Sequence, residues 1–131
     1  MRPSLGIDVE ATSERAWSEL IRIDSWPQWG PTIRAARVDD GGDAVHAGAT
    51  GAVQTPVGVW LPFRVEGWHD EDPERSWSWR VAGLPATTHS VIARTPSACR
   101  VEISVPWLAP AYLGVVALAL RRIKRRVETP R

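Results

Sequence analysis

The chain has 131 residues, with 16 basic and 15 acidic side chains and a formal net charge of +1. A chain of this length can bury a hydrophobic core without disulfides or metal ions, so we expect one domain over residues 1–131. Its single cysteine, Cys99, excludes an intramolecular disulfide, and no hydrophobic targeting segment follows Met1. These features predict a cytoplasmic protein.

Basic and aromatic residues are unevenly distributed. Residues 121–131 hold six basic side chains and one acidic side chain. Such a cluster suits the C-terminal end of a helix, and it can also attract an anionic membrane. Eight tryptophans accompany one phenylalanine and one tyrosine. Tryptophans in a small domain either form the core or line a cavity whose flat walls suit a ring-containing or acyl ligand.

The first 31 residues predict one strand and two helices. Residues 5–9 alternate between apolar and polar side chains, which is typical of a strand with one buried face. Thr12 or Ser13 can cap the helix that follows, because a hydroxyl accepts from a free backbone N–H. Asp24 is in position to cap a second, short helix over residues 25–29, which Gly30 and Pro31 end.

Six short strands then follow, separated by turns rich in glycine, proline and aspartate. They are predicted over residues 33–38, 49–55, 59–69, 75–81, 86–94 and 98–105. Alternation places Phe63 on the inward face of its strand, and Trp77 and Trp79 together on the inward face of the next. By the same parity, Trp60 and Trp68 should face outward and could mark a protein contact surface.

The last element is predicted as a long helix over residues 107–128. Leu113, Val116, Leu120 and Ile123 follow helical spacing and form one apolar stripe. Residues 103–120 lack charge, so a membrane-spanning segment has to be weighed. However, residues 99–105 alternate as a strand, and prolines at positions 106 and 110 interrupt a helix. The ten residues that remain, 111–120, are too few to span a bilayer.

The motifs occur in a defined order along the whole chain. They are Ala16-Trp17-Ser18-Glu19-Leu20, Asp24, Trp26-Pro27-Gln28-Trp29-Gly30-Pro31, Gly48, Leu61-Pro62-Phe63-Arg64-Val65 and Glu74-Arg75-Ser76-Trp77-Ser78-Trp79. With the long last helix, this order resembles the START-like or SRPBCC superfamily, and within it the polyketide cyclase/dehydrase group.

The resemblance implies an α+β helix-grip fold. A seven-stranded curved antiparallel sheet wraps around a long C-terminal helix, with two short helices between strands 1 and 2. Family members bind lipids, sterols or polyketides in a pocket between sheet and helix, and some catalyse cyclisation or aromatisation. This chain departs from the group because residues 111–120 are apolar on every side of the helix. That segment either fills part of the pocket or faces a second copy, as in a homodimer, or a bilayer.

Within the implied fold, six residues are expected to border an apolar cavity and bind the ligand. They are Trp29, Phe63, Trp77, Trp79, His89 and Tyr112. His89 is the principal polar group, because it shares strand parity with Thr87 and Val91 on a small, mostly apolar face. Its imidazole could bond a ligand carbonyl or act as an acid or base. The alternative is a core histidine paired with a neighbouring element.

Other chemistries lack the residues they need. The three histidines lie on different segments, and none has a second ligand at metal-binding spacing. No phosphate-binding loop or nucleophile elbow is present, and basic and aromatic residues are not interleaved as a nucleic-acid platform requires. We therefore expect no metal, no cofactor and no nucleic-acid partner.

Three hypotheses remain for the function. The first is binding of a hydrophobic small molecule of lipid, polyketide or aromatic type between the sheet and the last helix. The second is a cyclase or aromatase enzyme that works without metal or nucleotide, for which His89 is the one catalytic candidate. The third is a membrane-surface or protein-interaction module that uses the last helix and its basic residues, Arg121, Arg122, Lys124, Arg125 and Arg126.

Overall fold

The computed structural model describes residues 3–106 and 113–129. The elements in these two ranges are β1 (Ser4–Val9), α1 (Ser13–Ile21), α2 (Trp26–Trp29), β2 (Ala35–Val38), β3 (Thr50–Gln54), β4 (Trp60–His69), β5 (Glu74–Val81), β6 (Leu84–Thr95), β7 (Ala98–Ser104) and α3 (Leu113–Glu128). The strands form one antiparallel sheet in the order β1-β7-β6-β5-β4-β3-β2. α3 packs against β1, β7 and both shorter helices. This is the helix-grip fold, and the predicted fold class is confirmed.

The two short helices begin differently. At α1 the hydroxyl of Thr12 accepts from the backbone N–H of Arg15 at 3.1 Å, which is the predicted cap. At α2 the residue before the helix is Ser25, whose side chain makes no capping bond. Asp24 is exposed and instead accepts from the Arg22 guanidinium at 3.2 Å, which lowers the pKa of its carboxyl. The prediction that Asp24 caps the second helix was therefore wrong.

A bulge in β4 changes which side chains face the core. The pairing of β4 with β5 shifts register between Val65 and Gly67, so the alternation of faces is interrupted. Trp68 consequently packs on the core, with its ring centroid 5.3 Å from that of Trp17. The prediction that Trp68 faces outward was wrong for this reason. Trp60, before the bulge, is 38% exposed as predicted, and the Arg37 guanidinium lies 4.6 Å from its ring centroid.

A tight turn joins β5 to β6. Ala82 and Gly83 have φ angles of 53° and 79°, as the two central residues of a type I′ hairpin turn require. Val81 therefore pairs directly with Leu84, and Arg80 with Pro85. The sequence placed Leu84 and Pro85 in a loop, whereas they begin the strand.

The apolar stripe of α3 faces the interior as predicted. Val116, Leu120 and Ile123 are buried, and Leu113 is partly buried against the core. Leu118 on the opposite side is 39% exposed, so this part of the helix is not covered on every side. No helix in the described ranges has the length and apolarity needed to cross a membrane. The predicted first turns of this helix, residues 107–112, lie outside the described residues.

Shortening a side chain of the stripe tests its packing. Ile123 is 0% exposed, so Ile123→Val should lower the free energy of unfolding by about 0.5–1.5 kcal/mol, because one methyl group is lost from a close-packed site. Leu118→Ala, on the exposed side, should change it by less than about 0.5 kcal/mol. Urea denaturation of both variants measures the difference. Equal losses would mean that the stripe is not the buried face.

Candidate functional site

The short helix α2 places two tryptophans at the centre of the core. The indole N–H of Trp26 donates to the carbonyl of Leu20 at 2.9 Å, and that of Trp29 donates to the carbonyl of Glu19 at 3.1 Å. Both bonds tie α2 to the end of α1. Trp26 is fully buried and stacks on Trp77 with ring centroids 5.7 Å apart. The helix thus fixes the position of one aromatic wall.

The rest of this aromatic cluster comes from β4 and β5. Trp26 meets Phe63 and Trp79 edge to face, at centroid distances of 5.8 Å and 5.3 Å. Phe63 and Trp79 are themselves 5.4 Å apart. Such edge-to-face pairs add to the stabilisation that burial alone gives. Three residues of this cluster, Trp26, Trp77 and Trp79, also line a cavity.

His89 lies among three tryptophans. It pairs with Trp77 across β5 and β6, and the two rings stack with centroids 4.1 Å apart. Trp29 and Trp79 present their rings to the imidazole at larger angles, at 6.3 Å and 6.0 Å. Only 3% of the His89 surface is exposed. The imidazole is therefore held by aromatic faces rather than by charged partners.

A short chain of hydrogen bonds fixes one edge of that imidazole. Trp79 Nε1 donates to Thr87 Oγ1 at 3.0 Å, and Thr87 Oγ1 lies 2.9 Å from His89 Nε2. The other nitrogen, Nδ1, makes no hydrogen bond of normal geometry within the described residues. Burial lowers the pKa of His89 to about 3, and a weaker interaction with the Trp77 backbone opposes this only in part. At neutral pH the imidazole is uncharged.

Two cavities adjoin beside this chain of bonds. The inner cavity, about 40 Å³, is bordered by α2, by β5 and β6 through Trp77 and His89, and by α3 through Val116 and Ala119. The outer cavity, about 310 Å³, lies between β3, β4, β5 and β6, with Leu61, Val81 and Ala86 in its wall. Four residues belong to both walls: Thr32, Ile33, Trp79 and Thr87. The two cavities therefore share part of a wall, and the smaller, inner one, lined by the buried His89, is the deep end of the pair.

Four of the six predicted ligand-binding residues meet at the inner cavity. Trp29, Trp77, Trp79 and His89 all line it. Phe63 instead lies in the aromatic cluster and is not among the residues lining either cavity. Tyr112 lies outside the described residues.

Sequence reasoning missed most of the outer wall. The unforeseen lining residues include Ile33, Val53, Val81 and Ala86. Strand parity indicates which apolar side chains point inward. It does not indicate which of them meet a gap, because that depends on the curvature of the sheet. Trp26 was also not singled out, although its place in a short helix beside Trp29 was visible.

The charged side chains of the described residues lie outside the walls of both cavities. The carboxylate of Glu19 is buried and bonds the guanidinium groups of Arg15 and Arg126, which ties α1 to α3. In the predicted basic cluster, Lys124 also has partners within the protein, the carbonyl of Asp8 and the carboxylate of Glu128. Arg121 and Arg125 are exposed and Arg122 is half-buried. The described residues contain no group of three or more His, Cys, Asp or Glu side chains placed to hold a metal ion.

Comparison with known proteins supports the fold through solved structures of low sequence identity. No protein-family model and no curated protein matches the chain. A hypothetical protein from Helicobacter pylori aligns with a TM-score of 0.77 at 10% identity, covering 95% of this chain and 86% of that chain. A Thalictrum norcoclaurine synthase mutant aligns at 0.59 and 14% identity, covering 97% and 93%.

A third similar structure is the di-domain aromatase/cyclase BexL from the BE-7585A biosynthetic pathway. It aligns with a TM-score of 0.68 at 14% identity, covering 98% of this chain and 46% of that chain. Identities this low show a shared fold and nothing further about activity. The three alignments agree with the helix-grip fold of this chain.

Proposed function

We propose that this protein binds a hydrophobic small molecule of lipid, polyketide or aromatic type, with its apolar body in the outer cavity and one end at His89. The observation that carries the proposal is the junction of the two cavities at Trp79 and Thr87. The outer volume, about 310 Å³, lies at the lower end of the range for small-molecule sites. A compact ring system or a short acyl chain fits that size better than a long lipid.

The fold similarity gives the proposal its family context. An SRPBCC-type fold whose inner cavity lies between the sheet and α3 agrees with membership of the polyketide cyclase/dehydrase group. Cyclase or aromatase activity has less support, because the described lining residues supply one imidazole and no carboxylate, lysine or cysteine. A buried, uncharged histidine alone is a poor general acid, since its pKa is about 3. Binding is therefore the function that the geometry supports best.

Filling the outer cavity should weaken binding. The probe is methyl 2-naphthoate, a neutral aromatic ester whose binding is followed by quenching of tryptophan fluorescence. Ala86 is half-buried in the outer wall. Ala86→Trp should therefore weaken binding of the probe by at least about 10-fold, because the new indole occupies the space for the ligand. Circular dichroism checks that the variant folds.

A matched variant separates cavity filling from an added tryptophan. Ala47 is exposed in the loop before β3, and Ala47→Trp should leave the affinity unchanged. Bound probe should also raise the melting temperature of the native protein by mass action, and not that of Ala86→Trp. If the native protein shows neither quenching nor a thermal shift, or if both variants bind equally well, the proposed site is wrong.

A further inference from the structure

Resting on the proposed function, we propose that the site selects neutral ligands whose deepest group accepts a hydrogen bond, such as an ester or ketone carbonyl, and rejects carboxylates. The inference names the class of ligand from three independent features of the deep end: its lack of charge, its unpaired donors and its size.

The walls carry no charge that could accompany a buried anion. Among the described residues lining either cavity, none is acidic, lysine or arginine. The buried carboxylate nearest in sequence to the site, Glu19, is already paired with Arg15 and Arg126 and reaches the site only through its backbone carbonyl. An ionised carboxylate placed at His89 would lose its hydration without gaining a cation, which is strongly unfavourable. Fatty acids and other organic anions are therefore poor ligands for this end.

Two polar groups at the deep end make no hydrogen bond of normal geometry within the described residues. They are Trp77 Nε1 and His89 Nδ1, on side chains that are 1% and 3% exposed. Both side chains line the inner cavity. An indole N–H can only donate, so the first group requires an acceptor. The indoles of Trp26, Trp29 and Trp79, which line the same cavity, already have acceptors in the protein.

The hydrogen-bond chain allows the second group to act as a donor as well. Trp79 Nε1 donates to Thr87 Oγ1, which leaves the hydroxyl proton of Thr87 available for His89 Nε2 at 2.9 Å. With Nε2 accepting, the single proton of the neutral imidazole lies on Nδ1. Because the second lone pair of Thr87 Oγ1 can also accept from an Nε2–H, the placement of the proton on Nδ1 belongs to the proposal and is tested by the NMR experiment below. Both unpaired groups then seek an acceptor, and buried groups left without one cost free energy.

The inner cavity has the size of one functional group. About 40 Å³ accommodates a carbonyl group or an ordered water, whereas a ring needs the outer cavity. The ligand class is thus an apolar body that carries a small neutral acceptor at one end. A hydrocarbon fills the outer cavity but leaves the two donors unpaired.

Three probes with one ring skeleton test the selection: methyl 2-naphthoate, 2-ethylnaphthalene and 2-naphthoate, titrated at pH 8 by tryptophan quenching. We expect the ester to bind about 3- to 10-fold tighter than the hydrocarbon, as one or two net hydrogen bonds predict. The carboxylate should bind about 30-fold or more weaker than the ester. Carboxylate binding equal to or tighter than the ester would overturn the inference and leave the proposed function intact. No binding by any probe would instead refute the proposed function.

Two variants identify the donors. His89→Phe keeps a ring that can stack on Trp77, and Trp77→Phe keeps a ring while removing the indole N–H. Each should weaken binding of the ester by a larger factor than binding of 2-ethylnaphthalene, because only the ester also loses a hydrogen bond. An ester preference that survives both substitutions would overturn the assignment.

Nitrogen-15 NMR of the histidine side chains in the native protein provides a readout that does not depend on a variant folding. It should show His89 protonated on Nδ1 and bare on Nε2. The opposite tautomer would make Nδ1 an acceptor and would overturn the role of His89 as a donor.

Discussion

Replacing Trp26 with alanine should lower the free energy of unfolding by about 3–5 kcal/mol, the range for removing a large aromatic side chain from a core. Trp26 is 0% exposed and contacts Phe63, Trp77 and Trp79 with ring centroids within 6 Å. It also donates to the Leu20 carbonyl, which would lose its partner. Because these residues belong to α1, β4 and β5, no single shift can close the resulting cavity.

Urea denaturation measures this loss, and an exposed tryptophan provides the control. Trp60→Ala removes a side chain of the same size that is 38% exposed and lies 4.6 Å from the Arg37 guanidinium. Its cost should be about 1 kcal/mol or less, from lost cation–π contact and partial burial. A Trp26→Ala loss as small as that of Trp60→Ala would contradict the central place given to the aromatic cluster.

The variant should also affect the site. Trp26 lines the inner cavity and helps to hold α2 in position, and with it Trp29. A folded Trp26→Ala protein should therefore bind methyl 2-naphthoate less specifically, with a smaller difference between ester and hydrocarbon. The affinity for the hydrocarbon should fall less, since the outer wall is built from β3, β4, β5 and β6.

Local patterns in the sequence were sufficient for most of the fold. Alternation of apolar and polar residues gave the inward faces of Trp77, Trp79 and His89, because a strand repeats every two residues. Helical spacing gave the buried stripe of α3 through Leu120 and Ile123. In both cases one face is buried along the whole element, so several residues of that element repeat the same pattern.

Prediction from the sequence failed where one residue interrupts the two-residue alternation of a strand. The bulge at Gly67 turns Trp68 inward, and no alternation rule anticipates it. A Cβ atom on Gly67 would lie 2.5 Å from the Ser78 hydroxyl, which accepts from the Gly67 N–H at 3.1 Å. A side chain there would displace the Ser78 hydroxyl and disturb this bond, so a contact across strands favours glycine. A glycine inside a predicted strand was the one available signal.

The cavities were the least predictable part. Four of the six proposed lining residues do meet at the inner cavity, because parity and the order of elements place them there. The outer wall depends on how far the sheet curves away from α3, which is a property of the whole assembly. Chains of hydrogen bonds such as Trp79–Thr87–His89 likewise depend on rotamers that the sequence does not determine.

The burial of His89 makes the fold sensitive to mild acid. Its pKa is about 3 in the folded protein, where burial disfavours the charged form, against 6.5 in an unfolded chain. Between these values the unfolded chain binds a proton that the folded protein does not, so stability falls as the pH falls. Well above pH 6.5 the histidine is uncharged in both the folded and the unfolded chain, so this loss of stability is absent there. The loss should amount to about 2 kcal/mol between pH 7 and pH 5, approaching about 5 kcal/mol near pH 3.

The interval from pH 7 to pH 5 separates the titration of His89 from that of several carboxyls. Asp24, Asp40, Asp72 and Glu128 all have lowered pKa values, so these four carboxyls stay ionised there. Urea denaturation at both pH values should show the loss in the native protein, and His89→Gln, which cannot be protonated, should largely remove it.

His46→Gln is the matched control for that experiment. Asp40 bonds the exposed His46 ring and raises its pKa, so His46 stabilises the fold below pH 6.5 and loses that effect as the pH rises. Its removal should leave the acid loss in place or enlarge it. An acid loss that persists unchanged in His89→Gln would mean that another group titrates. In that case the description of His89 as a buried, uncharged imidazole at the deep end of the cavity would be wrong.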